Sequence, residues 1–344
     1  MIKKPVKIKI FEDAKEDNRV SIDIYFRSIF TNLNKIIDPK KIVLLSSNFK
    51  IYKIFPNIFN FNLRFFRYFV YPMIFLFTQK RINHILDQSY AHLLFLSFKN
   101  SKNIVTVHDL IPLLSWSGKI ENSIYPKKPY LFLFSISSLY KADKIIAVSE
   151  CTKKDLISEC GINPKKISVI YNGVDKRFRI LSETERTKYR DELNLNKNGI
   201  QRVLIVGDGA YKNVSTSFEV IKHLEEDFGK KIQLVWLGAN AKSTARSLQT
   251  PSLKVKPIFL SNLSQDQIVG LYNIVDCLLF PSFYEGFGMP PIEAMRCGLP
   301  VVTSNIDVFK EIYGNAVEMN SPYDAKGLAE SVSKILKDDS FSKI

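Results

Sequence analysis

Cysteine and histidine are scarce: the 344 residues carry four of each. Cys151, Cys160, Cys277 and Cys297 form no CxxC pair, and no histidine cluster accompanies them. This excludes a zinc-finger spacing and a disulfide framework, and it fits a reducing cytosol. No Asp-x-Asp stands at a strand end, so the sequence asks for no metal. Long apolar runs are missing too. The unbroken stretch Tyr68 to Phe77 falls well short of the roughly 20 residues that span a bilayer. The opening MIKKPVKIKIFED has no signal-peptide core and alternates into a strand. Low-complexity segments, short-period repeats and nucleic-acid-binding motifs are also absent, which places nucleic acid last among partners.

Acidic residues are outnumbered, and the net charge is +15. Residues 1–110 hold 18 Lys and Arg against 8 Asp and Glu, so +10 of the excess sits there. Phosphorylated substrates and an anionic membrane surface both suit such a half. The segment Phe59 to Arg81 mixes aromatics with Arg64, Arg67, Lys80 and Arg81. That composition suits either peripheral contact with an anionic membrane or a helix with one buried face and one basic face.

The length accommodates two ordinary domains. Apolar β-branched runs at Lys7–Phe11, Ile42–Leu45, Ile104–Val107, Ile145–Val148 and Ile167–Ile170 read as buried strands. Amphipathic stretches such as Ser21–Ile37 and Pro129–Lys141 separate them. A second series comprises Arg202–Val206, Ile232–Leu237, Val255–Phe259, Val275–Phe280, Leu299–Thr303 and Ala316–Met319. Continuous apolar strands alternating with helices mark parallel sheets covered on both faces. The reading is α/β: two Rossmann-like, doubly wound domains, 1–175 and 176–344, meeting near the turn Asn172-Gly173-Val174-Asp175. The polar stretch Leu181–Gly199 then supplies a linker and an exposed helix.

Pro281 to Asn305, PSFYEGFGMPPIEAMRCGLPVVTSN, is the most informative segment. It reads as strand, glycine loop, helix, strand, with Glu285 and Glu293 eight positions apart. Glycines let backbone approach a ligand. Pro290-Pro291 opens a helix whose first N–H groups face an anion. Two carboxylates flanking an anion site suit a ligand with phosphates in the middle and hydroxyls at both ends. The bland alternative is a pair of surface charges around a βαβ turn.

This string resembles the donor-binding motif of the retaining GT-B glycosyltransferases of family 4 (group 1), and most closely their mannosyltransferase-like branch. The resemblance implies two Rossmann-like domains facing an interdomain cleft. It further implies a nucleotide-sugar donor, GDP-mannose or a UDP-hexose, a glycan or glycolipid acceptor and no separate cofactor. It casts Glu293, placed on the first helical turn, as acceptor for the ribose hydroxyls. It casts Glu285 as partner of the transferred sugar. Gly286, Phe287, Gly288 and Met289 become the backbone around sugar and diphosphate. Lys212-Asn213, after VLIVG, resembles the family's phosphate-binding pair, with Lys212 steadying the leaving group. His108, in VHDLIP, resembles the family's histidine directed at the donor sugar, while Asp109 is a turn residue. Phe259 and Leu260 would border the nucleobase. Ser149 caps the helix from Glu150, and His84, His92 and His223 read as structural or surface residues.

Three departures accompany the resemblance. Asp208 and Tyr211 stand where an additional arginine is usual. Asp17-Asn18-Arg19-Val20-Ser21 replaces a glycine-rich turn. Little more than a helix follows Asp324. They motivate a rival reading as a non-catalytic nucleotide-sugar-binding protein. A nucleotide-sugar epimerase is a second rival, which would need further acid/base groups.

Overall fold

A computed structural model of the chain describes residues 5–13, 20–38, 42–46, 63–120, 128–196, 199–248 and 252–337. The loop Asp17 to Arg19 therefore lies outside the described residues. The chain divides into two compact units, Met1–Leu113 with Lys127–Tyr171, and Leu114–Pro126 with Asn172–Ile344.

The first unit contains strands β1 (Val6–Phe11), β2 (Ile42–Ser46), β3 (Ile82–Ile85), β4 (Lys102–Val107), β5 (Lys144–Ala147) and β6 (Ile167–Val169). They form one parallel sheet in the order β2-β1-β3-β4-β5-β6. Strand β3, INHI, escapes an apolar-run reading because its centre is polar. Both polar side chains are buried and satisfied by β4: Asn83 donates to Asn103 Oδ1 at 3.0 Å, and His84 bonds Thr106 at 2.9 Å. Burial holds the His84 imidazole down to about 4, so the ring is neutral there.

The second unit contains β7 (Gln201–Val206), β8 (Ile232–Leu237), β9 (Ile258–Leu260), β10 (Cys277–Phe280), β11 (Val301–Ser304) and β12 (Glu318–Asn320). Its order is β12-β11-β10-β7-β8-β9, again parallel. The chain steps outward from β7 to β9, then returns to lay β10 beside β7. That junction is the topological switch point, where α/β sheets place ligands. The expected strand from Val255 starts three residues late. Val255 N–H is spent on Glu225 Oε1, and pairing begins only at Ile258 with Val235.

Helix Val214–Glu226 buries Val214, Phe218, Ile221 and Leu224, a three-to-four-residue spacing that forms one apolar face. Helix Ala325–Lys337 does the same with Leu328, Val332 and Ile335. Both faces close over Val203, Leu234, Trp236 and Leu279 of the sheet. Each such side chain contributes about 1.5–3 kcal/mol on burial. By contrast, helix Glu183–Glu192 fully buries no residue; it carries a Ser182/Glu185 capping box and lays the Tyr189 ring against Gly270. Ser149 caps the helix Glu150–Cys160, accepting from Thr152 N–H.

Candidate functional site

The loops after β7 and β10 flank the switch point of the second sheet. After β7 the chain turns at Gly207 (φ +96°), and the aliphatic stem of Lys212 lies against that glycine. A Cβ at Gly207 would meet Lys212 carbons at 3.0–3.3 Å, so the glycine leaves room for the lysine's return path. The Lys212 ammonium ends 2.6 Å from Glu285 Oε1, 4.5 Å from the Phe280 ring centre and 5.2 Å from that of Tyr211. Ser282 donates to the same carboxylate oxygen at 2.9 Å. Only 13% of the lysine side chain and 10% of the glutamate side chain remain exposed. Tyr211 C=O accepts from Phe283 N–H at 2.8 Å, which stitches the two loops together.

Asn213 takes the left-handed conformation (φ 55°) and is buried. Its amide donates to Pro281 O at 3.0 Å and Pro322 O at 2.7 Å, and its Oδ1 accepts from Thr216. In this structure the side chain expected to touch the donor joins three loops next to Lys212.

Gly286, Phe287 and Gly288 are buried and Met289 is half-buried. Gly288 (φ +89°) precedes the helix Met289–Arg296. A Cβ there would collide with the Tyr313 hydroxyl, which donates to Gly288 C=O. The helix begins at Met289, before both prolines, because their fixed φ and missing N–H are tolerated in a first turn. Glu293 consequently falls in the second turn, not the first. The first turn offers N–H groups only at Met289 and Ile292.

The Glu293 carboxylate accepts from Tyr272 O–H at 3.3 Å. It keeps part of its surface exposed but is enclosed by protein. Loss of hydration, with Asp175 nearby, raises it to about 7. Phe259 packs its ring on Trp236 (centroids 5.9 Å) within the core, and Leu260 C=O accepts from Gly238 N–H. Both stand at the end of edge strand β9.

In the first unit, His108 ends β4. Its Nε2 lies 2.9 Å from Leu86 C=O, and its backbone N–H donates to Gln88. A carbonyl only accepts, so Nε2 carries the proton and Nδ1 is an acceptor when the ring is neutral. Tyr25 meets the ring edge-on at 4.8 Å. Asp109 accepts from Ile111 N–H, as a turn residue does.

A family model described as "Glycosyl transferases group 1" matches residues 185–343, and one described as "Glycosyltransferase Family 4" matches residues 38–178. The chain belongs to the group 1 glycosyltransferases of family 4. Its fold is GT-B. The O-antigen chain mannosyltransferase RfbU of Salmonella typhimurium is 29% identical over 249 residues, 70% of this chain and 66% of that protein. The serotype-specific mannosyltransferase WbdA of Escherichia coli is 26% identical over 247 residues, 70% of this chain but only 30% of WbdA. Sucrose-phosphate synthase from Thermosynechococcus elongatus superposes with a TM-score of 0.73 at 17% identity, over 98% of this chain and 91% of that one. That likeness shows the fold alone.

Three residues of this family 4 member were not singled out by sequence reasoning. Ser282 lies three positions before Glu285 on the same loop, a spacing that suits a local side-chain bond. Tyr272 and Tyr313 come from other helices, and no local pattern points to them. Asp208, standing where an arginine is usual, accepts from Asn240 N–H and ties the β7 loop to the β8 loop. Among the described residues, no group of three or more His, Cys, Asp or Glu is placed to hold a metal. No helix among them is long and apolar enough to cross a membrane.

Proposed function

We propose that the chain transfers a hexose, with retention, from a nucleotide diphosphate sugar to an acceptor hydroxyl of a cell-envelope or lipid-linked glycan at the cytoplasmic side. The observation that carries this reading is the nearly buried Lys212–Glu285 pair, 2.6 Å apart at the switch point beside the Gly288 helix start. A cation and an anion held together there match a ligand whose diphosphate wants the ammonium and whose sugar hydroxyls want the carboxylate.

In the reaction, Lys212 turns from Glu285 to the diphosphate and offsets the charge that develops as it departs. The N–H groups of Gly288, Met289 and Ile292 add donors and the positive end of the helix. Glu285, released from the lysine, accepts from sugar hydroxyls, and Glu293 accepts from the ribose diol. His108 contributes a ring acceptor for the sugar. The bond from the anomeric carbon to the diphosphate oxygen breaks. A bond from that carbon to the acceptor oxygen forms on the same face, and the acceptor proton passes to the departing phosphate oxygen. None of these roles requires a metal ion. GDP-mannose is the first donor, because the relatives with assigned reactions include mannosyltransferases.

The test offers GDP-mannose and UDP-hexoses singly, with a membrane extract as acceptor source, and measures free nucleotide by mass spectrometry. Release from one donor, lost in Lys212→Ala and Glu285→Ala, supports the reading. Binding without release from any donor overturns it in favour of a non-catalytic nucleotide-sugar-binding protein.

A further inference from the structure

We propose that one face of the first unit, built on the helical segment 63–78 and the loop 95–102, docks on an anionic phospholipid bilayer. Apart from Arg64 and Arg67 the helical segment carries no charge, and most of its side chains are apolar. Phe66, Tyr71 and Phe75 are buried, yet Phe65 (45% exposed), Phe69 (64%), Met73 (50%) and Phe77 (77%) face outward. An apolar stripe on a helix is normally covered by a partner surface. These four recur every fourth residue. A plain α-helix would rotate such a series steadily around its axis, but the wider π-turn Phe66–Val70 counters that drift. The rings of Phe65 and Phe69 stack at 5.1 Å, so the start of the stripe is one continuous surface. The neighbouring helix Tyr130–Ser137 extends it with exposed Tyr130, Leu131 and Phe134, joined through Tyr68 O–H to Leu131 C=O at 3.1 Å.

The stripe runs into a basic basin. Gln79 is fixed by Leu96 C=O and Phe98 N–H, both at 2.9 Å, so the end of the helix is tied to the loop. Lys80, Arg81, Lys99 and Lys102 surround exposed Phe98 there and line a hollow of about 740 Å³. Lys102 shares its ammonium with Asp143. Residues 63–102 hold six Lys and Arg, and their one acid, Asp87, is buried. This one-sided charge selects the occupant. A two-fold contact with a second copy would set like charges face to face, whereas phosphate headgroups would meet the basin while the phenyl rings enter the acyl boundary. The segment is too short to span, so the contact is peripheral. This inference does not depend on the donor-site reading.

The experiment is vesicle co-sedimentation of the full chain with phosphatidylcholine alone and with added phosphatidylglycerol. Binding is expected only with the anionic lipid, and it weakens with salt. Lys80→Gln/Arg81→Gln/Lys99→Gln lowers affinity on the order of 100-fold, about fivefold per charge. Phe69→Ser and Phe77→Ser each lower it about tenfold or more. Phe69, Phe77, Arg81 and Lys99 are exposed and Lys80 is partly exposed, and unchanged circular dichroism and melting confirm the fold of each variant. No wild-type binding, or equal binding to neutral vesicles, overturns the proposal. So does inorganic phosphate saturating the basin while vesicle binding is unchanged, or a concentration-dependent dimer that the Phe variants abolish.

Discussion

Lys212 Nζ and Glu285 Oε1 lie 2.6 Å apart with little solvent around either. In such surroundings, removing one partner strands a charge. Glu285→Leu leaves the ammonium against the Phe280 and Tyr211 rings, and this is expected to cost about 3 kcal/mol of stability. Lys212→Met/Glu285→Leu, which removes both charges, is expected to cost less than Lys212→Met or Glu285→Leu alone. Urea unfolding of the four proteins of this double-mutant cycle is the measurement. Additive losses would show that the pair is not coupled.

With the ribose-binding role proposed for it, Glu293 is expected to make stability and donor binding depend on pH in opposite directions. Its folded value of about 7 stands above its ordinary 4.5. The folded state therefore binds the extra proton, and stability from this group is complete below pH 4.5 and lost as pH rises through 7. At pH 8, Glu293→Gln is expected to exceed the wild type by at most about 3 kcal/mol, with no difference near pH 4. Ribose hydroxyls donate hydrogen bonds and so favour the ionised carboxylate. Donor affinity should then rise between pH 6 and 8 in the wild type and stay flat in Glu293→Gln. Melting curves and titration calorimetry across pH read the two effects.

What the sequence made legible follows from locality. Apolar strand runs announced eleven of the strands, and the segment from Pro281 announced the loop, the helix and both carboxylates. Polar β3 was hidden because Asn83 and His84 are satisfied by the neighbouring strand rather than by an apolar neighbourhood. The Lys212–Glu285 pair was legible as two residues but not as a contact, because strands β7 and β10 are adjacent only through the crossover that returns to the sheet centre. The commitment of Asn213 to Pro281 and Pro322 was hidden for the same reason. The placement of Glu293 on the second turn was decided by a single local detail, a helix that starts one residue before its prolines.

Gly288 is expected to tolerate no side chain. Gly288→Ala combines a left-handed φ with a collision against Tyr313 and Phe309, so it should displace the helix start and cost several kcal/mol. Tyr313→Phe alone loses one hydrogen bond, about 1 kcal/mol. The double variant removes the clash with the hydroxyl but leaves the contact with Phe309 and the φ penalty, so it should recover only part of the Gly288→Ala loss. Full recovery in denaturant unfolding would show that the backbone conformation is not the constraint.

Asn213 separates positioning from contact. Asn213→Gly keeps the left-handed turn but removes both donors, leaving Pro281 and Pro322 carbonyls buried without that partner, at about 1–3 kcal/mol. Asn213→Asp retains the shape and turns an acceptor toward those carbonyls, so it should be the worse of the two. If the residue serves by placing Lys212, both variants lower turnover, and added donor fails to restore it because the misplaced ammonium no longer meets the departing diphosphate. If the amide instead touched the donor, Asn213→Gly would raise KM with kcat preserved. Steady-state kinetics beside thermal melts decide between these outcomes, and the two hydrogen bonds at 3.0 and 2.7 Å favour the first.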